Sequence, residues 1–321
     1  MSSSSFPLHR LPLVALREII EKMKLEEQCT LSFCSKRMYY VVRDFRGKFP
    51  LVLKLIGFKD YTEIYIFNQK SLKNAVGFEV RADGIYRFEC WDFYSGKLIR
   101  FKDAERLFSL GKNVIEGTKF LVEFLCDLFL ANVEEVEVYD NSIWMLDFVE
   151  ERQGGYSYDA VVWHKAGRTD KQLKHILLDL NPRSLDFNQV TSHKFRIKNF
   201  NKKYEKLTIF ERWVAVKNLY QLDCVKLNIY LKNFSNTEIN RYLRHVLSGG
   251  APRLRVFSAA VRNPIENVIM DGIRQLLTES ERFEGLHGNW NIIGNVARGR
   301  ELVFVYIKFA LVSLHLEIKE A

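Results

Sequence analysis

The sequence predicts an α+β to α/β protein: an N-terminal three-helix unit followed by an irregular, leucine-rich-repeat-like α/β domain. Three observations carry this reading. Apolar residues recur at helical spacing over the first 47 residues, a solenoid strand template returns in the second half, and helix start and stop signals separate those strands. Of 321 residues 47% are apolar and 27% charged, a balance that buries a sizeable core. With 24 Phe and 14 Tyr the chain is too rich in aromatics for long disordered stretches, and six prolines are too few for extended linkers.

In the helical unit, Pro12 suits a first helical position, where its missing N–H costs nothing. Leu13, Leu16, Ile19, Ile20 and Met23 then repeat at spacings of three and four, with Arg17, Glu18, Glu21 and Lys22 opposite. A second helix is expected over Leu25 to Cys34. Ser35 is placed to cap a third through Tyr39, Tyr40, Val41, Val42 and Phe45, which Gly47 ends. From residue 48 to about 110 the pattern changes to short runs. Tyr65-Ile66-Phe67, Phe78-Glu79-Val80 and Ile85 to Phe88 read as strands, with Asp83-Gly84 as a hairpin turn. Thr118 to Leu130 reads as a helix, with Phe120, Leu121, Phe124, Leu125, Leu128 and Phe129 repeating along it.

The second half carries the strand template, apolar at one, four and six with Asn at nine. Val133-x-x-Val136-x-Val138-x-x-Asn141 and Leu173-x-x-Ile176-x-Leu178-x-x-Asn181 fit it fully. Tyr204-x-x-Leu207-x-Ile209, Leu222-x-x-Val225-x-Leu227 and Leu254-x-x-Phe257 fit it in part. The starts, at Val133, Leu173, Tyr204, Leu222 and Leu254, follow no constant period. Such uneven spacing leaves open five separate strands of an ordinary α/β layer. Ser235-Asn236-Thr237-Glu238 is a capping box opening a helix with Ile239, Tyr242, Leu243, Val246 and Leu247 on one face, stopped by Gly249-Gly250 and Pro252. Another helix is expected from Pro264, through Ile265, Val268, Ile269, Ile273, Leu276 and Leu277. The alternation implies parallel strands with helices on one side.

The motifs of common chemistries are missing. Cys29 and Cys34 have neither metal-ligand spacing nor a shared helical face, and no His pair has ligand spacing. Gly294 to Glu301 has two glycines spaced as in a P-loop, but Arg300-Glu301 stands where Lys-Ser/Thr is required. Five scattered cysteines make no disulfide framework and fit a reducing compartment. Residues 1–12 carry no signal-peptide core, and the apolar stretch Phe304 to Leu316 is broken by Lys308 and His315. A cytoplasmic or nuclear location without membrane contact is expected. The net charge of +9 is concentrated: between Lys165 and Lys206 eleven Lys/Arg stand against four acids, leaving +7. Lys194, Arg196, Lys198, Lys202, Lys203 and Lys206 form a candidate patch for an acidic partner or nucleic acid. Phe195, Phe200 and Tyr204 interleave with it, either as base-stacking platforms or as core anchors.

Phe6-Pro7-Leu8-x-Arg10-Leu11-Pro12, Leu16, Ile19-Ile20 and Leu31-Ser32-x-Cys34-Ser35-Lys36-Arg37 together resemble an F-box over about forty residues. The pattern departs at Val14, where an acidic residue is common, and at Met38, where Trp is common. The resemblance implies binding to a Skp-type adaptor and, through it, to cullin and RING subunits. The family's adaptor contacts carry over to Leu8, Leu11, Pro12, Leu16, Ile19 and Ile20, supported by Leu31 and Cys34.

Asn233-Phe234-Ser235-Asn236-Thr237-Glu238-Ile239-Asn240, Leu243-Arg244-His245 and Gly249-Gly250-x-Pro252-Arg253-Leu254 resemble the type 2 F-box-associated domain of a large nematode-expanded F-box family. Val246 replaces a frequent Trp, and the family's closing pattern survives loosely at Asn291 to Asn295. The expected organisation is residues 1–47 as F-box, 48–110 as a connecting segment of short strands, and 111–321 as the associated, repeat-like domain. The resemblance implies a non-catalytic substrate-recognition subunit of an SCF-type ubiquitin ligase, with no catalytic residue, metal or cofactor and an unidentified protein target. The alternative is a protein that binds nucleic acid or an acidic partner through residues 165–206.

Overall fold

The computed structural model describes residues 10–47, 50–69, 75–82, 84–90, 106–108, 113–139, 141–154, 158–163, 168–284, 290–298, 301–310 and 313–320. The chain groups into two compact units, residues 1–137 with 151–153, and residues 138–150 with 154–321.

The first unit opens with α1 (Leu13–Lys22), α2 (Leu25–Cys34) and α3 (Lys36–Phe45). Pro12 sits one residue before the expected place, as the N-cap, and its carbonyl accepts the Leu16 N–H at 3.0 Å. The Ser35 hydroxyl accepts the Met38 N–H at 3.2 Å, starting α3 as expected. Buried Gln28 donates from Nε2 to the carbonyls of Ile20 (3.0 Å) and Met23 (3.1 Å), satisfying groups that the end of α1 leaves open. Arg46 caps α3 just before Gly47.

An antiparallel meander follows: β1 (Leu51–Gly57), β2 (Tyr61–Asn68), β3 (Ala75–Arg81) and β4 (Gly84–Cys90), with short β5 (Arg106–Phe108) beside β4. Gly84 pairs with Arg81 directly after the expected turn, whose Asp83 lies outside the described residues. Then come α4 (Val114–Phe129), capped by the Asn113 side chain on the Glu116 N–H, and β6 (Asn132–Val138). The strand order is β6-β1-β2-β3-β4-β5. Buried Lys54 on β1 is held by Glu135 (2.9 Å) and Glu137 on β6. The helical unit packs on this layer through Phe33, whose ring stacks on Phe124 of α4 at 4.6 Å and meets Phe78 of β3 edge-on at 6.2 Å. By contact, therefore, the helices and the strands after residue 48 form one unit that runs past residue 110 to Glu137.

The second unit contains α5 (Trp144–Gln153, its last three residues grouping with the first unit), β7 (Asp159–Val162), α6 (Asp170–Leu178), β8 (Ser184–Phe187), β9 (Lys203–Phe210), α7 (Val216–Leu219), β10 (Asp223–Phe234), α8 (Asn236–Leu247) and β11 (Val256–Val261). After α9 (Glu266–Ile269) and a 3-10 turn at Arg274–Leu276 come β12 (Thr278–Glu284), β13 (Trp290–Arg298), β14 (Glu301–Ala310) and β15 (Ser313–Glu320). The strand order is β7-β8-β9-β10-β11-β15-β14-β13-β12, parallel from β7 to β11 and antiparallel beyond. Two inward ladders run across the parallel strands: Ala160–Leu185–Leu207–Leu227–Phe257 and Val162–Phe187–Ile209–Ile229–Ala259. All ten side chains are buried. Along the chain, successive rungs of the first ladder keep mostly within the period of solenoid repeats, although the template starts do not.

Two expectations need correction. Leu173 to Leu178 is a helix, not a strand. Leu173, Ile176 and Leu177 also make a helical stripe, and a reciprocal cap between Thr169 and Gln172 decides for the helix. The helix expected from Pro264 is a single turn followed by the 3-10 turn. Buried Asn240 donates from Nδ2 to the carbonyls of Ile269 (2.8 Å) and Asp271 (2.7 Å), and Gly272 turns the chain at φ +67°.

Two measurements test these contacts. Gly250 donates its N–H to the His245 carbonyl (2.9 Å), and a Cβ built on it would overlap the His245 ring. Gly250→Ala is expected to lower the free energy of unfolding by about 2–3 kcal/mol in denaturant titration. Gly154→Ala, left-handed at φ +55° but with open space around it, should cost only about 1 kcal/mol. An equal loss in both would contradict the close packing. The second contact ties α6 to α5: the His175 ring meets Asp147 Oδ1 at 2.6 Å and Asp179 Oδ2 at 2.8 Å. Hydrogen bonds to Asp147 and then to Asp179 raise its pKa above 6.5. The stabilisation is therefore complete below about pH 6.5 and is lost as pH rises through the higher folded value. Unfolding titrations across this range should show the fall, and Asp147→Asn should flatten it.

Candidate functional site

In the helical unit the apolar side chains divide between core and surface. Leu16 and Ile20 are buried and join Cys29, Met38 and Val42 as its core. Leu11, Ile19 and Leu31 are half-buried, and Pro12 and Cys34 are exposed. Leu8 lies outside the described residues. Of the eight adaptor contacts expected from the sequence, then, Leu16 and Ile20 hold the helices together and offer no free surface. Leu13 and Val14, by contrast, are 68% and 76% exposed. The helical period misses this because Leu13 shares a stripe with Leu16 and Ile20 but precedes the turn that α2 and α3 cover.

The helical unit is fixed to α4 by more than Phe33. The Tyr39 hydroxyl donates to Asp127, which also pairs with Arg43 at 3.3 Å. Burial, followed by the Asp127 bond, pushes Tyr39 up to about 12. A groove of about 650 Å³ opens beside this contact, lined by Tyr39, Phe120, Phe124, Asp127, Leu130 and Arg152. Its charged groups already have partners, Asp127 with Tyr39 and Arg43, and Arg152 with Glu123 at 3.2 Å.

In the second unit the expected basic patch divides as well. Arg196 donates to the carbonyls of His193 (3.1 Å) and Phe195 (2.6 Å). Lys202 donates to the Leu180 carbonyl (3.0 Å) and Asn181 Oδ1 (2.8 Å), and burial lowers its pKa. Lys206 pairs with Asp186 at 2.9 Å. Lys194, Lys198 and Lys203 are exposed. Phe195, Phe200 and Tyr204 are fully buried, the first two against Trp213, so they anchor residues 188–202 and present no stacking platform.

The outward side of β7–β11 carries rows set by the same register. One row runs Ser184–Lys206–Lys226–Val256, the next Asp186–Thr208–Asn228–Ser258, and Phe210 faces Tyr230 beyond it. Ser258 bonds His315 of β15 at 2.8 Å. At the amino ends of these strands charges are paired: Arg183 with Asp159 (2.9 Å), and Arg253 with Glu205 and Asp223 (3.4 Å).

Burial pushes the Cys126 and Cys224 thiols up to about 12, so neither is a thiolate at neutral pH. No group of three or more His, Cys, Asp or Glu among the described residues could hold a metal ion. No helix among them is long and apolar enough to cross a membrane.

The most distinctive stretch of the sequence, Asn233 to Leu254, proves architectural. Besides the Ser235–Glu238 cap, Asn236 accepts the Ile265 N–H (3.0 Å) and donates to the Asn263 carbonyl (3.1 Å). Asn240 holds the turn at residues 269–271, Arg244 lies against Gly272, and His245 packs under Gly250 with its ring edge-on to Tyr220.

A three-helix module with exposed apolar residues at its start, and an α/β unit whose outward side chains stand in rows, each offer a surface for binding. Comparison with known families agrees. Residues 8–50 match the F-box domain, and residues 191–259 match a family described as F-box associated. The chain thus carries an N-terminal F-box and, in its C-terminal region, an F-box-associated domain that runs from Thr191 into β11. In general terms this pairing is that of SCF substrate-recognition adaptors, and an F-box implies binding of a Skp-type adaptor. No curated protein and no solved structure matches the chain.

The aromatic contact that fixes the F-box can be tested directly. Phe124 meets the rings of Phe33, Tyr39 and Phe120. Phe124→Ala should lower the opening free energy of α2 and α3 by about 1–3 kcal/mol, read as faster amide exchange in Leu25–Phe45 with α8 unchanged. Uniform acceleration across the chain would contradict this.

Proposed function

We propose that this chain is the substrate-recognition subunit of an SCF-type cullin–RING ubiquitin ligase. A Skp-type adaptor docks on the start of the F-box, and a protein target docks on the second unit. The observation that supports it most is the exposed apolar pair Leu13–Val14, beside Pro12 and half-buried Leu11, on a small helical unit whose core is already complete. Exposed apolar surface of this kind is stable in water only at a cost, and a partner helix relieves it. Leu8, Leu11, Pro12, Ile19, Leu31 and Cys34 complete the proposed contact, and Leu16 and Ile20 act by holding α1 in place.

The mechanism is proximity. Holding target and ligase machinery on one chain raises their effective concentration and needs no reacting group on this subunit. Cullin and RING subunits join through the adaptor, in the cytoplasm or nucleus.

Leu11→Asp combined with Leu13→Asp is expected to abolish co-purification of the adaptor while leaving the melting temperature of the chain unchanged. Adaptor retained by a folded double variant would contradict the assignment. Ile20→Asp serves as the comparison, since a buried charge there should unfold the F-box outright.

A further inference from the structure

We infer that the outer face of β9 and β10 is the target-binding surface, and that it takes an extended acidic peptide segment with an apolar side chain about four residues from its acid. The inference rests on reading the second unit as a target receptor. Its observation is a repeat that stands in register. Lys206-Leu207-Thr208-Ile209-Phe210 and Lys226-Leu227-Asn228-Ile229-Tyr230 share one pattern, and the sheet pairs them residue for residue. The Leu and Ile of each are buried in the ladders. The outward side chains therefore come in matched pairs: two lysines, Thr with Asn at 3.5 Å, and Phe with Tyr, their rings stacked at 4.7 Å.

Packing accounts for the Leu and Ile positions and for Thr208, which is buried, but not for exposed Lys226 and Tyr230. Like charges side by side on neighbouring strands are destabilising, yet the lysine is duplicated. Asp186 offsets Lys206 at 2.9 Å, whereas Lys226 is exposed and has no side-chain partner among the described residues. Tyr230 is 42% exposed.

The charge pattern selects the occupant. At the amino ends of the strands the acids and bases are paired. At the carboxyl ends Arg212 and Arg262 are exposed with no side-chain partner among the described residues, while Glu211 receives the N–H groups of Thr191 (2.9 Å) and Arg212 (2.7 Å). The face thus presents unmatched positive charge beside one aromatic seat. Lys and aromatic positions are about 13 Å apart along a strand, the span of about four residues of an extended peptide. Between them the half-buried Asn228 donates from Nδ2 to Thr208 Oγ1 and keeps a second N–H and its carbonyl oxygen for a peptide backbone. A nucleic-acid strand would need successive stacking platforms, and the neighbouring aromatics Phe195, Phe200 and Tyr204 are buried.

The test is fluorescence anisotropy with the full-length chain and a labelled Gly/Ser peptide carrying one Glu and one Phe four positions apart. Saturable binding is expected, weakened about tenfold by Tyr230→Ser and by Lys226→Glu. Lys217→Glu, on α7, makes the same charge change away from this face and should leave binding unchanged. Both altered side chains are exposed, so each variant should keep the wild-type melting temperature. Absent binding, equal binding of a peptide with Gln and Ser in place of Glu and Phe, insensitivity to both substitutions, or preference for a single-stranded RNA of equal length would each overturn the inference. Adaptor co-purification from the same preparations separates the two claims. Adaptor bound without peptide removes this surface alone, and peptide bound without adaptor removes the ligase reading alone.

Discussion

The stacking of β7 to β11 in parallel register, kept between β10 and β11 as far as Ile229, is the constraint on which the second unit depends. Once Leu207 sits between Leu185 and Leu227, every neighbouring residue on those strands is placed to within one position. A slip by one residue would turn the ladders outward and the lysines inward. Each large aliphatic side chain of the ladders contributes about 2–5 kcal/mol relative to alanine, so no single slip is tolerated. The same register that closes the core therefore aligns the outward side chains into rows. An ordered outer face is a consequence of the ladders, and only the chemistry of its side chains remains free.

That separation sets the architectural residues of the domain apart from its outward ones. Asn236, Asn240 and Arg244 hold the segment after β11 against α8, and His245 packs under Gly250 at the turn that ends α8. All five lie within the stretch that matches the F-box-associated family, and their roles are architectural. On β9 and β10 the exposed side chains of Lys226 and Tyr230 carry no such structural task.

The sequence reveals the elements whose signals are local. The three N-terminal helices, the Ser35 and Ser235 caps, and the strands at Val133, Tyr204 and Leu222 are legible because period and capping chemistry act within a few residues. Leu173 to Leu178 is ambiguous because spacings of three serve both a helix stripe and the strand template, and β7 and β8, four residues each, are too short for any period. Site residues are harder. Apolar periodicity finds a face but not its depth, so Leu16 and Leu13 look alike until α3 is seen to cover one of them. Counting charges finds a basic segment, yet Arg196, Lys202 and Lys206 bind within the unit. The Lys-Leu-x-Ile-aromatic repeat is open to view, but its meaning depends on the pairing of β9 with β10 across the intervening α7, which no local signal gives.

Adaptor binding is the claim from which the rest of the function follows. Titration calorimetry of the purified full-length chain with a purified Skp-type adaptor tests it most directly. Saturable binding with one adaptor per chain and a negative heat-capacity change, the signature of burying the apolar start of the F-box, is the predicted result. An absence of binding by a folded chain would contradict the account at its base.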